Sequence, residues 1–287
     1  MKRFCLLGFA LFLGTMALSA APLALNVISF NLRYANPADG PNAWEHRKGL
    51  VAALFTDRQA DFAGVQEALS IQLSDLKKSL SDYDCVGVGR DDGKSAGEHA
   101  AIFYNRKKFD LERTGTFWLS GDPDTPGSTG WDAALPRIAT WGIFRAKASG
   151  REVFMANTHW DHKGVQAREE GAKVLMNQLS GLCGKRPVIL TGDFNDVENS
   201  PGLRQVTSCP ALPLVYAQKL ARDPDRGATS TFNGFQEGSP DKIIDFILVS
   251  PGITVENYRY LPIRKEGVFI SDHWPVVARL TLPEEKS

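Results

Sequence analysis

Six short segments of the chain bring an apolar run up to a carboxylate, an amide or an imidazole. Asn31 closes the run that begins at Leu25, Glu67 closes the run from Phe62, and His159 follows Asn157 and Thr158. Asp193 and Asn195 flank Phe194, Asp245 sits inside Ile243 to Val249, and Asp272 and His273 follow Ser271. Taken singly, a strand-end turn or a satisfied buried polar group accounts for each. Six in one chain point to a shared site. Glu67, Asp193 and Asp272, with the amides of Asn31 and Asn195, form a hard, oxygen-rich set with no cysteine, suited to Mg²⁺ or Mn²⁺ rather than zinc. Such ions keep waters that a phosphate can displace. His159 and His273 supply donors, acids or bases near neutral pH, above all where a carboxylate fixes the ring. Metal, carboxylate base and imidazole donors together suit in-line attack of water on phosphorus.

The elements that must position these groups are legible in outline. Leu25–Asn31, Phe62–Glu67, Ala100–Tyr104, Ile138–Phe144, Val153–Asn157, Val188–Asp193, Ile243–Val249 and Trp274–Leu280 read as strands, being short, apolar and rich in β-branched or aromatic residues. Apolar residues at helical spacing place amphipathic helices over 44–58, 70–80 and 163–182, with Gly184 as the stop after the last. The stretch 121–130, rich in Gly, Pro, Asp, Ser and Thr, is a loop. Strands and helices are mixed rather than strictly alternating, which favours an α/β (α+β) fold of two packed mixed sheets covered by helices over one doubly wound parallel sheet. Neither a repeat nor a low-complexity linker imposes a boundary, so 22–287 reads as a single domain.

Lysine and arginine number 33, as do aspartate and glutamate, so net charge offers no pull toward a polyanion such as bulk DNA, and no strong nonspecific nucleic-acid binding is expected. Met1-Lys2-Arg3, an apolar run from Phe4 to Leu18 and the small residues Ser19, Ala20 and Ala21 read as a signal peptide over 1–21, cut between Ser19 and Ala24. The run is shorter than the ~20 residues of a spanning helix. A secreted or periplasmic protein with no membrane span in its mature form is the expectation. Cleavage leaves 31 basic against 33 acidic residues and three cysteines, Cys85, Cys183 and Cys209. One disulfide, Cys183 with Cys209, and three separate buried thiols are both open. The oligomeric state is not encoded in any pattern of this kind.

Ser29-Phe30-Asn31-Leu32, Val65-Gln66-Glu67, Asn157 to Asp161, Thr191 to Asn195, Ile244 to Ile247 and Ser271 to Pro275 resemble, in order, the motif set of the endonuclease/exonuclease/phosphatase (deoxyribonuclease I-like) superfamily. The resemblance covers the chain beyond the signal peptide. It implies a four-layer α/β sandwich, with two packed mixed β-sheets flanked by helices. It also implies Glu67 as principal metal ligand, with Asn31 and Asp272 beside it directly or through water. Asp193 would orient or deprotonate the attacking water, Asn195 would hold a phosphate oxygen, and His159 would donate to the phosphate or the leaving group. His273 would bind the scissile phosphate with Asp245 as its orienting carboxylate.

Within the superfamily, Gly87–Gly93, Thr116–Ser120, Gly130–Arg137 and Asp161–Gly164 resemble a group of secreted bacterial members of unsettled substrate. Arg90, Arg137, His99, His162 and Trp131 in or beside those segments, with Asn157, are the candidates for substrate contact. For Arg90 and Arg137 a salt bridge is an equal reading. The function implied is hydrolysis of a phosphate ester; zero net charge weighs against a nuclease and the lack of a long hydrophobic hairpin against a lipid phosphodiesterase, which leaves a small phosphorylated compound by elimination. Alternatives on the same site are a nuclease or a lipid phosphodiesterase, and, in another class, an inactive binding module of the same fold.

Overall fold

The computed structural model describes residues 22–225, 229–237 and 242–283; the leader expected over 1–21 lies outside the described residues. In chain order the strands are β1 Ala24–Asn31, β2 Phe62–Ala68, β3 Tyr83–Val86, β4 His99–Asn105, β5 Phe109–Trp118, β6 Ile138–Ala146, β7 Glu152–His159 and β8 Val188–Asp193, followed by β9 Val215–Tyr216, β10 Ala221–Pro224, β11 Asp245–Val249, β12 Thr254–Tyr260, β13 Arg264–Lys265, β14 Val268–Phe269 and β15 Val276–Thr281. The helices are α1 Trp44–Asp57, α2 Ser70–Ser79, α3 Val165–Cys183, α4 Pro201–Thr207 and α5 Ala217–Leu220. Seven strands form one sheet in the order β10-β12-β15-β1-β2-β4-β3, and six form the other as β5-β6-β7-β8-β11-β9. Both are mixed: β1 runs parallel to β2 but antiparallel to β15, and β8 runs parallel to β7 but antiparallel to β11.

Side-chain alternation sorts each strand between two cores. Leu25 and Val27 of β1, Phe62 of β2, Met155 of β7, Ile189 of β8 and Ile247 of β11 belong to the cluster between the sheets. Ile28, Phe30, Ala63 and Val65 point to the opposite face, where Val51, Leu54 and Phe55 of α1 and Leu73 and Leu76 of α2 cover them. On the far side, α3 and α4 cover Phe154, Ala156, Val188 and Leu190. The result is the expected four-layer sandwich, helices on both outer faces of two packed mixed sheets.

Toward one rim the layer between the sheets changes from apolar to polar. Ser29, Gln66, Asn157 and Thr191 are all fully buried and bonded to one another or to backbone. The Asn157 amide donates to the carbonyls of Val65 and Ala101 across the layer, and its oxygen accepts from Gln66 Nε2 at 2.7 Å and Thr191 Oγ1 at 3.0 Å. Gly192 donates its N–H to Ser29 Oγ at 3.1 Å. Gln66 Oε1 is the one atom of these four side chains left without a partner, at a cost of about 1–3 kcal/mol. The close approach requires Gly64, because a Cβ there would lie 2.0 Å from Thr191 Oγ1 and 2.6 Å from Asn157 Oδ1.

The elements differ from the sequence expectation in informative places. α3 begins at Val165 rather than at 163, because Asp161 Oδ1 accepts the N–H groups of Lys163 and Gly164 and holds them in a turn. It ends before Gly184, whose φ of 59° is the expected stop. β11 begins at Asp245 and β15 at Val276, both later than the apolar runs imply; Pro275 has no N–H to give a ladder. Cys85, Cys183 and Cys209 are all free thiols, so the Cys183–Cys209 disulfide does not form. Among the described residues no helix is long and apolar enough to cross a membrane.

Candidate active site

Continuing each inter-sheet row by one alternation past the polar layer reaches the rim. Ser29 leads to Asn31, Asn157 to His159 and Thr191 to Asp193. Strand register then sets neighbours side by side: His159 pairs with Asp193, and Asp193 with Asp245 across the antiparallel β8–β11 ladder. Antiparallel strands bring their beginnings to this rim, which is why Asp245 opens β11 and Asp272 and His273 lie just ahead of β15.

Glu67 breaks the alternation. Strict period two would turn it outward with Ala63 and Val65, toward α1 and α2. Instead the β2–β4 register shifts between Val65 and Ala68, and Glu67 adopts a left-handed φ of 57°. Such a conformation in a non-glycine residue costs on the order of 1–3 kcal/mol and re-aims the side chain. The carboxylate that results faces the cleft, accepting from Asn31 Nδ2 at 3.0 Å and from the Tyr34 N–H at 3.2 Å.

The cleft has a volume of about 570 Å³. Its floor is acidic: Glu67, Glu98, Asp193 and Asp272 all line it. Burial first, then the charge of Asp245, pushes the Asp193 carboxyl well above the usual carboxylate range. Burial and Glu67 push Glu98 up despite a two-bond pair with Arg90, at 2.6 and 3.0 Å. Asp272 is also pushed up, by burial and by Glu67 outweighing His273 and the nearby arginines. Clustered carboxylates that resist ionisation together are a donor set that a hard divalent cation relieves. Asp193, Asp245 and His273 each place one ligand-type atom within 4.8 Å of the others, and Asp245 Oδ1 is buried with no hydrogen-bond partner. The carboxylates of this set fit a divalent metal, whereas His273 could join them only as a neutral ring released from Asp245. Asn31 presents its amide nitrogen to Glu67 and, at 2.9 Å, to Asp193, while its oxygen accepts from the Arg33 N–H. In this arrangement it bridges two carboxylates rather than offering them a ligand oxygen.

The two site histidines have opposite surroundings. His273 Nδ1 donates to Asp245 Oδ2 at 2.9 Å, and Asp193 Oδ2 lies 3.8 Å from Nε2. Burial opposes the imidazolium, but Asp245 and Asp193 outweigh it and push His273 up to about 10. His159 Nδ1 lies 3.2 Å from an Arg137 N–H and 3.7 Å from Glu98, and its Nε2 lies 3.1 Å from the Asn195 amide. Burial and the charges of Arg137 and Arg90 pull it well below the usual imidazole range. Asn195 adopts φ 47°, which an asparagine tolerates, and also donates to the Trp160 carbonyl at 3.0 Å.

Glu67, His159, Asp193, Asn195, Asp272 and His273 thus share one cleft, with Asp245 and Asn31 bonded to its lining, and Arg137 and His162 in its wall. Four substrate candidates do not line it. Asn157 is fully buried in the polar layer, tying the sheets together. Arg90 stands behind Glu98, its guanidinium spent on that carboxylate. His99 Nδ1 donates to the Ala68 carbonyl at 3.0 Å beside the β2 bulge. Trp131 is exposed on the loop outside the cleft. Conversely, Glu98, Arg33, Tyr34, Phe232 and Lys242 line the cleft without having been singled out. Only Glu98 had a local signal, as a carboxylate immediately ahead of a strand.

The sequence profile described as "Endonuclease/Exonuclease/phosphatase family" matches residues 28–273. Among solved structures, an endonuclease/exonuclease/phosphatase from Bacteroides vulgatus is 38% identical at a TM-score of 0.86, covering 91% of this chain and 99% of that one. A mannosyl-6-phosphatase from Bacteroides thetaiotaomicron is 38% identical at a TM-score of 0.82, with 89% and 99% covered. Nocturnin of Drosophila melanogaster is 27% identical over 197 residues, 63% of this chain, and the chain spans 29% of that relative's length.

Proposed function

The chain belongs to the endonuclease/exonuclease/phosphatase family, and from that premise we propose that it is a Mg²⁺- or Mn²⁺-dependent hydrolase of a small phosphate monoester, with a sugar phosphate as substrate. One observation carries this reading. A carboxylate cluster of Glu67, Asp193 and Asp272 shares a cleft of about 570 Å³ with His159, His273, Arg33, Arg137 and Lys242. That volume suits a small molecule. The cations suit its phosphate, and the similarity to a mannosyl-6-phosphatase supports a sugar as the alcohol.

Glu67 and Asp272 would hold the metal, with Asn31 beside them. When bound, the ion supplies a Lewis acid for the phosphoryl oxygens and lowers the pKa of water. Asp193, with its raised proton affinity, accepts the proton of the water that attacks phosphorus. His273, kept cationic by Asp245, faces the charge on the phosphoryl oxygens, and Asn195 holds one of them. His159, held neutral with Nδ1 turned to Arg137, keeps its one N–H on Nε2 and would offer it as a hydrogen bond to the phosphate or the departing oxygen. The P–O bond to the sugar breaks, inorganic phosphate forms, and the departing oxygen takes back through solvent the proton that Asp193 accepted and leaves as the alcohol. The leader read in residues 1–21 supports a location outside the cytoplasm; N-terminal sequencing of the protein from a periplasmic fraction tests it.

The discriminating experiment is phosphate release from hexose 6-phosphates beside cleavage of plasmid DNA and sphingomyelin, each with Mg²⁺ and across a salt series. Fast release from a hexose phosphate with a shallow salt slope is expected. Efficient DNA cleavage that falls with salt at a slope of about −0.9 per phosphate contacted would make the protein a nuclease. Efficient sphingomyelin cleavage would make it a lipid phosphodiesterase. Binding without turnover of any substrate would mark an inactive binding module.

A further inference from the structure

Arg137 reaches three partners with one buried guanidinium. Nε donates to Asp161 Oδ2 at 3.2 Å, one terminal nitrogen lies 3.2 Å from His159 Nδ1, and the other lies 2.8 Å from His162 Nδ1. Its position is fixed from both sides. Asp161 Oδ2 also accepts the Ala134 N–H at 3.1 Å, and its Oδ1 accepts from Lys163 and Gly164. The loop carrying Arg137 is pinned a second time by Asp132, which accepts the N–H of Ala167 at 2.7 Å and so caps α3 from outside the helix.

A guanidinium has five N–H donors and no acceptor. The His162 nitrogen facing it at 2.8 Å is therefore a lone pair, and a neutral ring must carry its proton on Nε2. Burial and the Arg137 charge pull the His162 pKa down, so the neutral form prevails near pH 7. The ring lines the cleft as an uncharged, single N–H donor, and Leu135, 38% exposed, lines the same cleft. Such a pair suits a hydroxyl-bearing carbon skeleton better than a phosphate dianion, for which Arg33, Lys242 and His273 already supply charge.

We propose that Arg137 is a positioning residue that fixes His162 as the Nε2–H tautomer, and that His162, with Leu135, reads the hydroxyl-bearing leaving group of the substrate. The substrate half of this proposal rests on the phosphate-monoester reading above; the tautomer half does not.

Two measurements test it. In the first, kcat/KM is compared for a hexose 6-phosphate and for p-nitrophenyl phosphate, whose leaving group has no hydroxyl to offer His162. His162→Ala should lower the ratio of the two by about tenfold, the worth of one neutral hydrogen bond, through KM for the sugar phosphate. His162→Gln, which restores a neutral N–H donor, should recover part of it. An unchanged ratio, or an equal loss on both substrates, overturns the recognition role. Failure of the wild type to hydrolyse either compound with Mg²⁺ or Mn²⁺ overturns that role together with the monoesterase reading. In the second, long-range ¹H–¹⁵N NMR of ¹⁵N-histidine-labelled protein reads the tautomer directly, with His162→Gln identifying the signal. The Nε2–H pattern is expected in the wild type and a mixed pattern in Arg137→Lys. An Nδ1–H pattern in the wild type, or no change in Arg137→Lys, overturns the positioning role whatever the substrate proves to be.

Discussion

His273 and His159 are both nearly inaccessible to solvent, at 4% and 7%, yet the fold drives them to opposite charge states. His273 is enclosed by Asp245 and Asp193 and is held as an imidazolium. His159 also has Asp193 and Glu98 at 3.6 and 3.7 Å, but burial and the charges of Arg137 and Arg90 prevail and hold it neutral. Burial penalises the charged form of both rings, so the difference comes from the neighbours alone. One cleft thereby holds a neutral ring and a fixed cation whose Nε2 atoms lie 3.6 and 3.8 Å from the same Asp193 carboxylate, with the division of roles set by strand register rather than by residue type.

The largest effect that tests this contrast is on the cationic side. His273→Ala should lower kcat by roughly 10²-fold or more, a typical loss for a positioned acid or donor. Asp245→Asn should do much of the same damage, because the amide does not hold the ring charged. Since the two act as one unit, the double variant should be little worse than His273→Ala, and additive losses in a double-mutant cycle would break the pairing.

On the neutral side the expected effect appears in stability as well as rate. Arg137→Met leaves Asp161 buried without its charge partner and should destabilise the fold by about 3 kcal/mol in urea unfolding. It also removes the cation that keeps His159 neutral, so Arg137→Lys should be the milder substitution in both stability and turnover. Equal behaviour of Met and Lys at this position would mean that charge at Arg137 is irrelevant to the ring.

The smallest effect lies in the acid range. Burial works against the Asp161 carboxylate, but the N–H groups of Gly164 and Lys163 and the Arg137 charge outweigh it and hold Asp161 at about 2. This is below the unfolded value of about 3.9, so its stabilisation is complete above roughly pH 4 and is lost as pH falls through about 2. The stability gap between wild type and Asp161→Asn should therefore shrink between pH 4 and pH 2. A constant gap would show that the carboxylate's charge contributes nothing.

What the sequence revealed and hid follows the same geometry. The apolar runs and their polar ends mark the strands that carry Asn31, Glu67, His159, Asp193 and Asp245, because so many such ends in one chain exceed what strand-end turns and satisfied buried groups account for. Depth within the layer was not legible from the motif. Asn157 and His159 share a face two residues apart, and only the three-dimensional arrangement shows that the first stops between the sheets while the second reaches the rim. Nor was the bulge at Glu67 visible, since Gln66-Glu67 carries no glycine to announce a left-handed turn. Arg33, Tyr34 and Lys242 enter the cleft from loops whose course is set by tertiary packing, and of the two readings open for Arg90 the structure takes the ion pair, with Glu98. The disulfide was undecidable because cysteine count constrains pairing only when the thiols are also brought together.

The account depends most on metal-assisted hydrolysis at this cleft, and one titration tests it. Phosphate release from a hexose 6-phosphate is followed as Mg²⁺ is raised, for the wild type and for Glu67→Ala. Saturable activation is expected in the wild type and loss of activity in EDTA, with turnover in Glu67→Ala lower by roughly 10²-fold at saturating Mg²⁺ and thermal stability almost unchanged. Near-wild-type turnover by Glu67→Ala, or undiminished activity of the wild type in EDTA, would contradict it.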